Sequence, residues 1–193
     1  MDKNFLKHFR NYLQNLNNYL KSIDKFELLK LENFFNKNLN SKEKKIFLAG
    51  NGGSAATAGT MYNDLGFDLF KKKGKKIKLF SLVDNISSIT AISNDTGYEN
   101  VFLNQLKINH NIGDHLLVIS ASGNSKNLIK AIQYVKKRKG KIISFLGFDG
   151  GKIKKLSDIC IHINTPKNMY GPVEDGHLVI NHIFAHWFQK KIK

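Results

Sequence analysis

The chain has a single cysteine, Cys160, set between Ile159 and Ile161. One thiol leaves no internal disulfide, and its apolar neighbours mark it as a small buried side chain rather than a nucleophile. Nowhere are there the roughly 20 consecutive apolar residues that a bilayer-spanning helix needs, which argues against a membrane protein. The opening, Met1-Asp2-Lys3-Asn4-Phe5-Leu6-Lys7, lacks the apolar core and small-residue cleavage site of a secretory signal, so a cytoplasmic location is expected. Arginine is scarce as well: Arg10 and Arg138 are the only two. Sequence readers of nucleic acid rely on bidentate arginine forks. The formal charge of +16 therefore reads as a lysine-rich solvated surface, and nucleic acid is disfavoured as a partner. There is no solenoid-period repeat and no linker-like stretch, so residues 1–193 read as one domain.

What is present suits that single domain. At 193 residues with 41% hydrophobic content, the chain can bury a full core without disulfides or structural metals. Phe5, Phe9, Tyr12, Leu13, Leu16, Tyr19 and Leu20 recur at spacings of three and four, the periodicity of a helix, and Leu28, Leu29, Leu31, Phe34 and Phe35 mark a second. Residues 1–43 thus read as helices with more large apolar groups than an isolated chain covers, and oligomerisation through them is expected. From Lys45 onward the pattern changes. Ile46 to Ala49, Ile77 to Leu82, Leu116 to Ile119, Ile142 to Leu146 and Ile159 to Ile163 are short apolar runs of strand length. Helical segments separate them, which predicts an α/β three-layer sandwich with a five-stranded parallel sheet, preceded by the N-terminal helices. His110 and His115, at the start of a strand, read as surface imidazoles. The Lys71 to Lys76 run reads as a solvated turn.

Ligands of open parallel sheets bind at the carboxyl ends of the strands, so the loops there carry the functional reading. The first strand runs into Gly50-Asn51-Gly52-Gly53-Ser54 before a helical pattern. Glycines let backbone approach a ligand, and a helix start offers free N–H groups and the positive end of its dipole. The spacing matches neither the dinucleotide fingerprint nor the P-loop, so no nucleotide cofactor is expected. The third strand runs into Ser120-Ala121-Ser122-Gly123-Asn124-Ser125 and then another helix. Hydroxyls at a strand-to-helix junction surround a phosphate with neutral donors.

Taken in order, Gly50 to Ser54, Ser93-Asn94-Asp95-Thr96-Gly97-Tyr98, Ser120 to Ser125 and Gly147-Phe148-Asp149-Gly150-Gly151 resemble the sugar isomerase (SIS) domain of phosphoheptose isomerases, over about residues 5 to 190. The resemblance implies the flavodoxin-like SIS fold. It implies a homotetramer with sites at subunit interfaces, and conversion of sedoheptulose 7-phosphate to D-glycero-D-manno-heptose 7-phosphate for lipopolysaccharide or capsule. It also implies that Ser54, Ser120, Ser122 and Ser125 hold the phosphate, that Asn51 and Asp95 contact sugar hydroxyls, and that Gly52, Gly53, Thr96 and Asn124 share in substrate binding.

The departures from the family pattern bear on the chemistry. A metal-binding histidine and a catalytic glutamate of the family correspond here to Thr60 and Asp64, an arginine to Asp68, and a glutamine to Glu174, while His182 is kept. Proton transfer between neighbouring sugar carbons needs a base near the carbon and an acid or metal near the carbonyl oxygen. Glu174, Leu178 and His182 fall on one helical stripe. Asp64, Glu174 and His182 are therefore expected as the catalytic set, or as ligands of one divalent metal such as zinc. His177 is expected to be structural. A non-catalytic phosphosugar-binding or regulatory SIS protein is the alternative, and the missing histidine at Thr60 is its support.

Overall fold

Successive apolar side chains along the strands point to opposite faces of the sheet, and that divides the core in two. The computed structural model describes residues 2–41 and 43–192. Strands β1 (Ile46–Gly50), β2 (Leu79–Ser81), β3 (His115–Ser120), β4 (Ile142–Leu146) and β5 (Ile159–His162) pair in parallel, in the order β2-β1-β3-β4-β5. Ile46, Leu48, Leu117, Ile119, Ile143 and Phe145 face one side. Phe47, Ala49, Leu116, Val118, Ile142 and Leu146 face the other. The first face is covered by α2 (Lys25–Asn38), α3 (Gly53–Tyr62) and α9 (Tyr170–Lys191), which contribute Leu31, Phe35, Met61, Phe184 and Phe188. The second is covered by α6 (Val101–Asn109) and α7 (Lys126–Lys137), with Phe102, Leu106, Leu128, Ile132 and Val135. Burial on both faces explains why the strands read as continuous apolar runs. The expected three-layer α/β sandwich is the observed one.

Details at the sheet edges differ from the sequence reading. Strand β2 begins at Leu79 rather than Ile77, because the Leu79 N–H turns back to the Ile77 carbonyl at 2.9 Å. Cys160 is half-buried rather than buried, since β5 is an edge strand; its backbone N–H donates to the Glu27 carboxylate at 2.8 Å. His110 is no surface imidazole. It is buried, stacked on Phe47 with ring centroids 5.6 Å apart, and accepts a hydrogen bond from Arg138 Nε at 3.3 Å.

Helix α1 (Lys3–Lys21) starts at Asp2, whose carboxylate accepts the N–H groups of Asn4 and Phe5, the usual cap chemistry. It packs on α9 through Tyr12, whose hydroxyl donates to Asp175, and Tyr19, whose hydroxyl lies 3.8 Å from the Met169 sulfur. Burial and the Asp175 carboxylate push the Tyr12 hydroxyl up to about 12, so it remains a donor. The outer face of α1 is open: Phe5, Phe9 and Leu13 are 63%, 52% and 49% exposed. Among the described residues no helix is long and apolar enough to cross a membrane.

On α9, His177 is fully buried with its ring 5.9 Å from that of Phe145. Burial pulls its pKa from 6.5 down to about 4, so it is neutral near pH 7. The unfolded chain takes up this proton below pH 6.5 while the native state resists until about 4. Stability from this group is therefore complete above pH 6.5 and falls as pH drops from 6.5 towards 4. The loss is on the order of 3 kcal/mol at most. Urea unfolding of His177→Leu is expected to show a shallower decline than wild type across this window; parallel declines would refute the assignment.

Candidate active site

The strand order places β1 and β3 side by side, with the chain continuing outward to β2 on one side and to β4 and β5 on the other. This is the switch point at which open sheets hold ligands. The loop from β1 enters α3 through Gly52, at φ 55° and ψ −126°, a conformation that essentially only glycine adopts. The loop from β3 turns at Gly123 (φ 61°), where a Cβ would lie 2.0 Å from the Gly150 carbonyl oxygen. A side chain there would push the serine loop away from the Gly147–Gly151 loop.

Between the two loops lies a cavity of about 190 Å³ lined by Asn51, Ser54, Ser120, Ser122, Ser125, Tyr170 and Glu174. The Ser120 hydroxyl oxygen accepts the Gly123 N–H at 3.1 Å and that of Ser122 accepts the Asn124 N–H at 3.3 Å. Each hydroxyl keeps its own proton to give to an anion. Ser125 occupies the N-cap position of α7 without its side chain capping the helix, so its hydroxyl also faces the cavity uncommitted. The positive end of α7 adds to the attraction. A larger cavity, about 760 Å³, runs along the edge of β5 with acidic and basic side chains mixed, including Asp24, Glu27, Lys30 and Lys154; it lies outside the meeting point of the two loops.

The expected binding residues divide into four groups. Ser54, Ser120, Ser122 and Ser125 line the one cavity together. Asn51 also lines the cavity, but its carboxamide is paired reciprocally with Asn127 at 2.9 and 3.1 Å, and its oxygen accepts the Tyr98 hydroxyl at 2.8 Å. This amide pair ties the glycine loop to α7. Asn124 spends its amide on the Ser122 carbonyl and the Lys152 N–H, bracing the loop against α8 (Gly151–Lys154). Asp95 and Thr96 end α5 (Ile86–Thr96) outside the cavity; Asp95 accepts from Asn94, and Thr96 bonds Ile92 and Asn104. Gly52 borders a neighbouring small cavity, and Gly53 abuts the Glu174 carboxylate, 2.3 Å from where a Cβ would stand.

The three expected catalytic residues do not all meet. After Tyr62 the helix widens into one π turn, Asn63–Asp68, before α4 (Leu69–Lys73). Asp64 stands on that turn, with His182 Nε2 3.6 Å from its Oδ2, and Asn181 donates to the same oxygen at 2.7 Å. Glu174 is elsewhere. Eight residues along α9 correspond to about 12 Å, and its carboxylate lies over the start of α3, where the helix dipole favours negative charge. Sharing a stripe gave Glu174 and His182 a common face but different heights. Among the described residues no three His, Cys, Asp or Glu side chains gather to hold a metal. The expected Asp64, Glu174 and His182 ligand set is thus not formed within the chain. Thr60 supplies no replacement, since its hydroxyl donates to the Ala56 carbonyl of its own helix at 3.1 Å. Asp68 pairs with Lys72 at 3.6 Å.

A parallel sheet with this strand order is that of a flavodoxin-like α/β domain, and the family model described as SIS domain, which matches residues 11–147, places the chain in the SIS class. The phosphoheptose isomerase of a Nitratiruptor species is 41% identical over 74% of this chain and 75% of its own. That of Helicobacter pylori is 39% identical over 73% and 72%. The structure of phosphoheptose isomerase GmhA from Neisseria gonorrhoeae superposes with a TM-score of 0.82 at 26% identity, over 97% of this chain and 98% of that one. The chain belongs to the phosphoheptose isomerase family of SIS-domain proteins.

Tyr98, Asn127, Tyr170 and Asn181 are parts of the site that sequence reasoning passed over. Tyr98 closes a motif already singled out; the others follow or precede such motifs without a pattern of their own. The double variant Ser122→Ala/Ser125→Ala is expected to weaken binding of a sugar phosphate by at least about tenfold, from the loss of two hydrogen bonds to a charged group. Its melting temperature should stay near that of wild type. Unchanged affinity by calorimetry would remove the serine loop from the site.

Proposed function

We propose that this protein is an aldose-ketose isomerase that interconverts sedoheptulose 7-phosphate and D-glycero-D-manno-heptose 7-phosphate. The observation that carries this reading is the Asp64–His182 pair, set along α9 from a hydroxyl-lined anion cavity at the sheet's switch point. A sugar anchored by its phosphate between Ser120, Ser122 and Ser125 would extend its other end beside α3 and α9. The offset of about 12 Å between the heights of Glu174 and His182 suits a long substrate whose carbonyl lies far from its phosphate.

In that pose Asp64 removes the proton from the carbon adjoining the carbonyl, and His182 gives a proton to the carbonyl oxygen, forming the enediol. Asp64 then returns its proton to the neighbouring carbon while His182 recovers one from the other hydroxyl. Every proton taken is replaced, so the reaction is redox-neutral overall. Ser54 and the first turn of α3 flank the phosphate end. Tyr170 and Glu174 close the cavity from α9.

The same reading includes a cytoplasmic homotetramer serving surface polysaccharide synthesis. Its support is the apolar outer face of α1 and the position of His182, whose side chain is 57% exposed beside an Asp64 only 15% exposed. A neighbouring subunit would exclude water from that side. Sedimentation at micromolar concentration is expected to give an oligomer; a monomer would remove the assembly from the proposal.

The direct test is incubation with C5 to C7 ketose phosphates in deuterium oxide. Exchange at the carbon beside the carbonyl is expected for the seven-carbon substrate, and His182→Ala should slow it by about 100-fold or more. Binding without exchange would identify a non-catalytic phosphosugar-binding protein instead.

A further inference from the structure

We infer that Asn181 is a positioning residue that aims the Asp64 carboxylate by hydrogen bonding; this rests on the isomerase reading above. Asn181 is fully buried on α9, next to His182 in sequence. Its Nδ2 donates to Asp64 Oδ2 at 2.7 Å, while Asn63 Nδ2 donates to Asp64 Oδ1 at 3.2 Å. Both carboxylate oxygens are thus held by neutral amides, one from the buried side and one from the π turn itself. The orientation of the Asn181 amide follows from charge: reversed, it would set a carbonyl oxygen against a carboxylate.

The side-chain oxygen of Asn181, Oδ1, is the telling atom. It is buried without a hydrogen-bond partner, an arrangement that costs stability and that a leucine of similar size would avoid. Packing therefore does not account for an asparagine at this position, whereas the short bond from its N–H to Asp64 does. The need for such a bond comes from the π turn. Asp64 leaves a wider turn than the α-helix on either side of it, and a short aspartate arm has little reach to correct its direction. An amide fixed in the core of α9 supplies that direction, and it places Oδ2 between a fixed donor and the half-exposed imidazole of His182. The Thr60 hydroxyl is engaged with the Ala56 carbonyl and the Glu174 carboxylate lies against Gly53, so the amide of Asn181 is what meets Asp64 from α9.

The test compares wild type with Asn181→Leu as full chains, measuring kcat, KM for sedoheptulose 7-phosphate and the melting temperature. A misaimed base is expected to lower kcat by about 10- to 100-fold. KM, set by the distant serine loop, should stay within twofold, and the melting temperature should hold or rise as the unpaired carbonyl is removed. A kcat within twofold of wild type would overturn the inference, as would a kcat loss accompanied by a lower melting temperature and a raised KM. Should the leucine variant fail to fold, Asn181→Ser withdraws the same amide with a smaller polar side chain, and the same kcat loss is expected. In an Asp64→Asn background, Asn181→Leu should change the residual rate less than twofold; a further 10-fold loss there would show that Asn181 acts on something other than Asp64. Absence of turnover in wild type defeats the isomerase reading and this one with it. Wild-type turnover that Asn181→Leu leaves within twofold defeats this one alone.

Discussion

Because β1 and β3 lie side by side in register, from Ile46 opposite His115 to Gly50 opposite Ile119, the loops that leave them must emerge together at one end of the sheet. Everything at the site depends on that pairing. It sets Gly52 and Gly123 close enough for the Asn51–Asn127 amide pair to bridge the two loops, and it aims the starts of α3 and α7 at one small volume. The two central strands are buried on both faces, so the register is held by the whole core. A change of register between β1 and β3 would separate the serine hydroxyls from the glycine loop.

The protein carries a large excess of lysine, yet the cavity between the two loops is lined by hydroxyls, the Asn51 carboxamide, the Glu174 carboxylate and the apolar Ile119 and Ala121. Lysines bring long-range attraction that salt weakens. Hydroxyl and backbone donors act only at contact distance, and they distinguish phosphate by shape. Glu174 adds a negative charge to this cavity. Its carboxylate is set against the N-terminal end of α3 beside Gly53, where the helix dipole offsets that charge.

Much of this was legible in the sequence. Five apolar runs of strand length and two glycine- or serine-bearing junctions fixed the layers and the end of the sheet where the cavity lies, because each signal is local. The relation between Glu174 and His182 was less legible. Helical periodicity reports which face a residue shares with another and says nothing of the height at which a third element meets that face. Nor does the sequence of Asn63–Asp68 announce a π turn, which arises from how α3 and α4 join against α9. Asn181 was hidden for the same reason: an asparagine between Ile180 and His182 shows its purpose only once Asp64 is placed opposite. His110 read as a surface group because its burial depends on Phe47 and Tyr134, residues distant in sequence.

The carboxylate of Glu27, bonded to the Cys160 backbone N–H, has a bearing on how copies of this chain can associate. An edge strand with free N–H groups is a template for another strand, and sheets left open in this way are prone to grow into fibres. Here β5 has one of its outward donors taken by an acidic side chain, and the opposite edge, β2, is only three residues long. Neither border invites a new strand. Growth by continuing the sheet is thus discouraged at both ends, which leaves the helical faces as the borders of the fold open to other contacts.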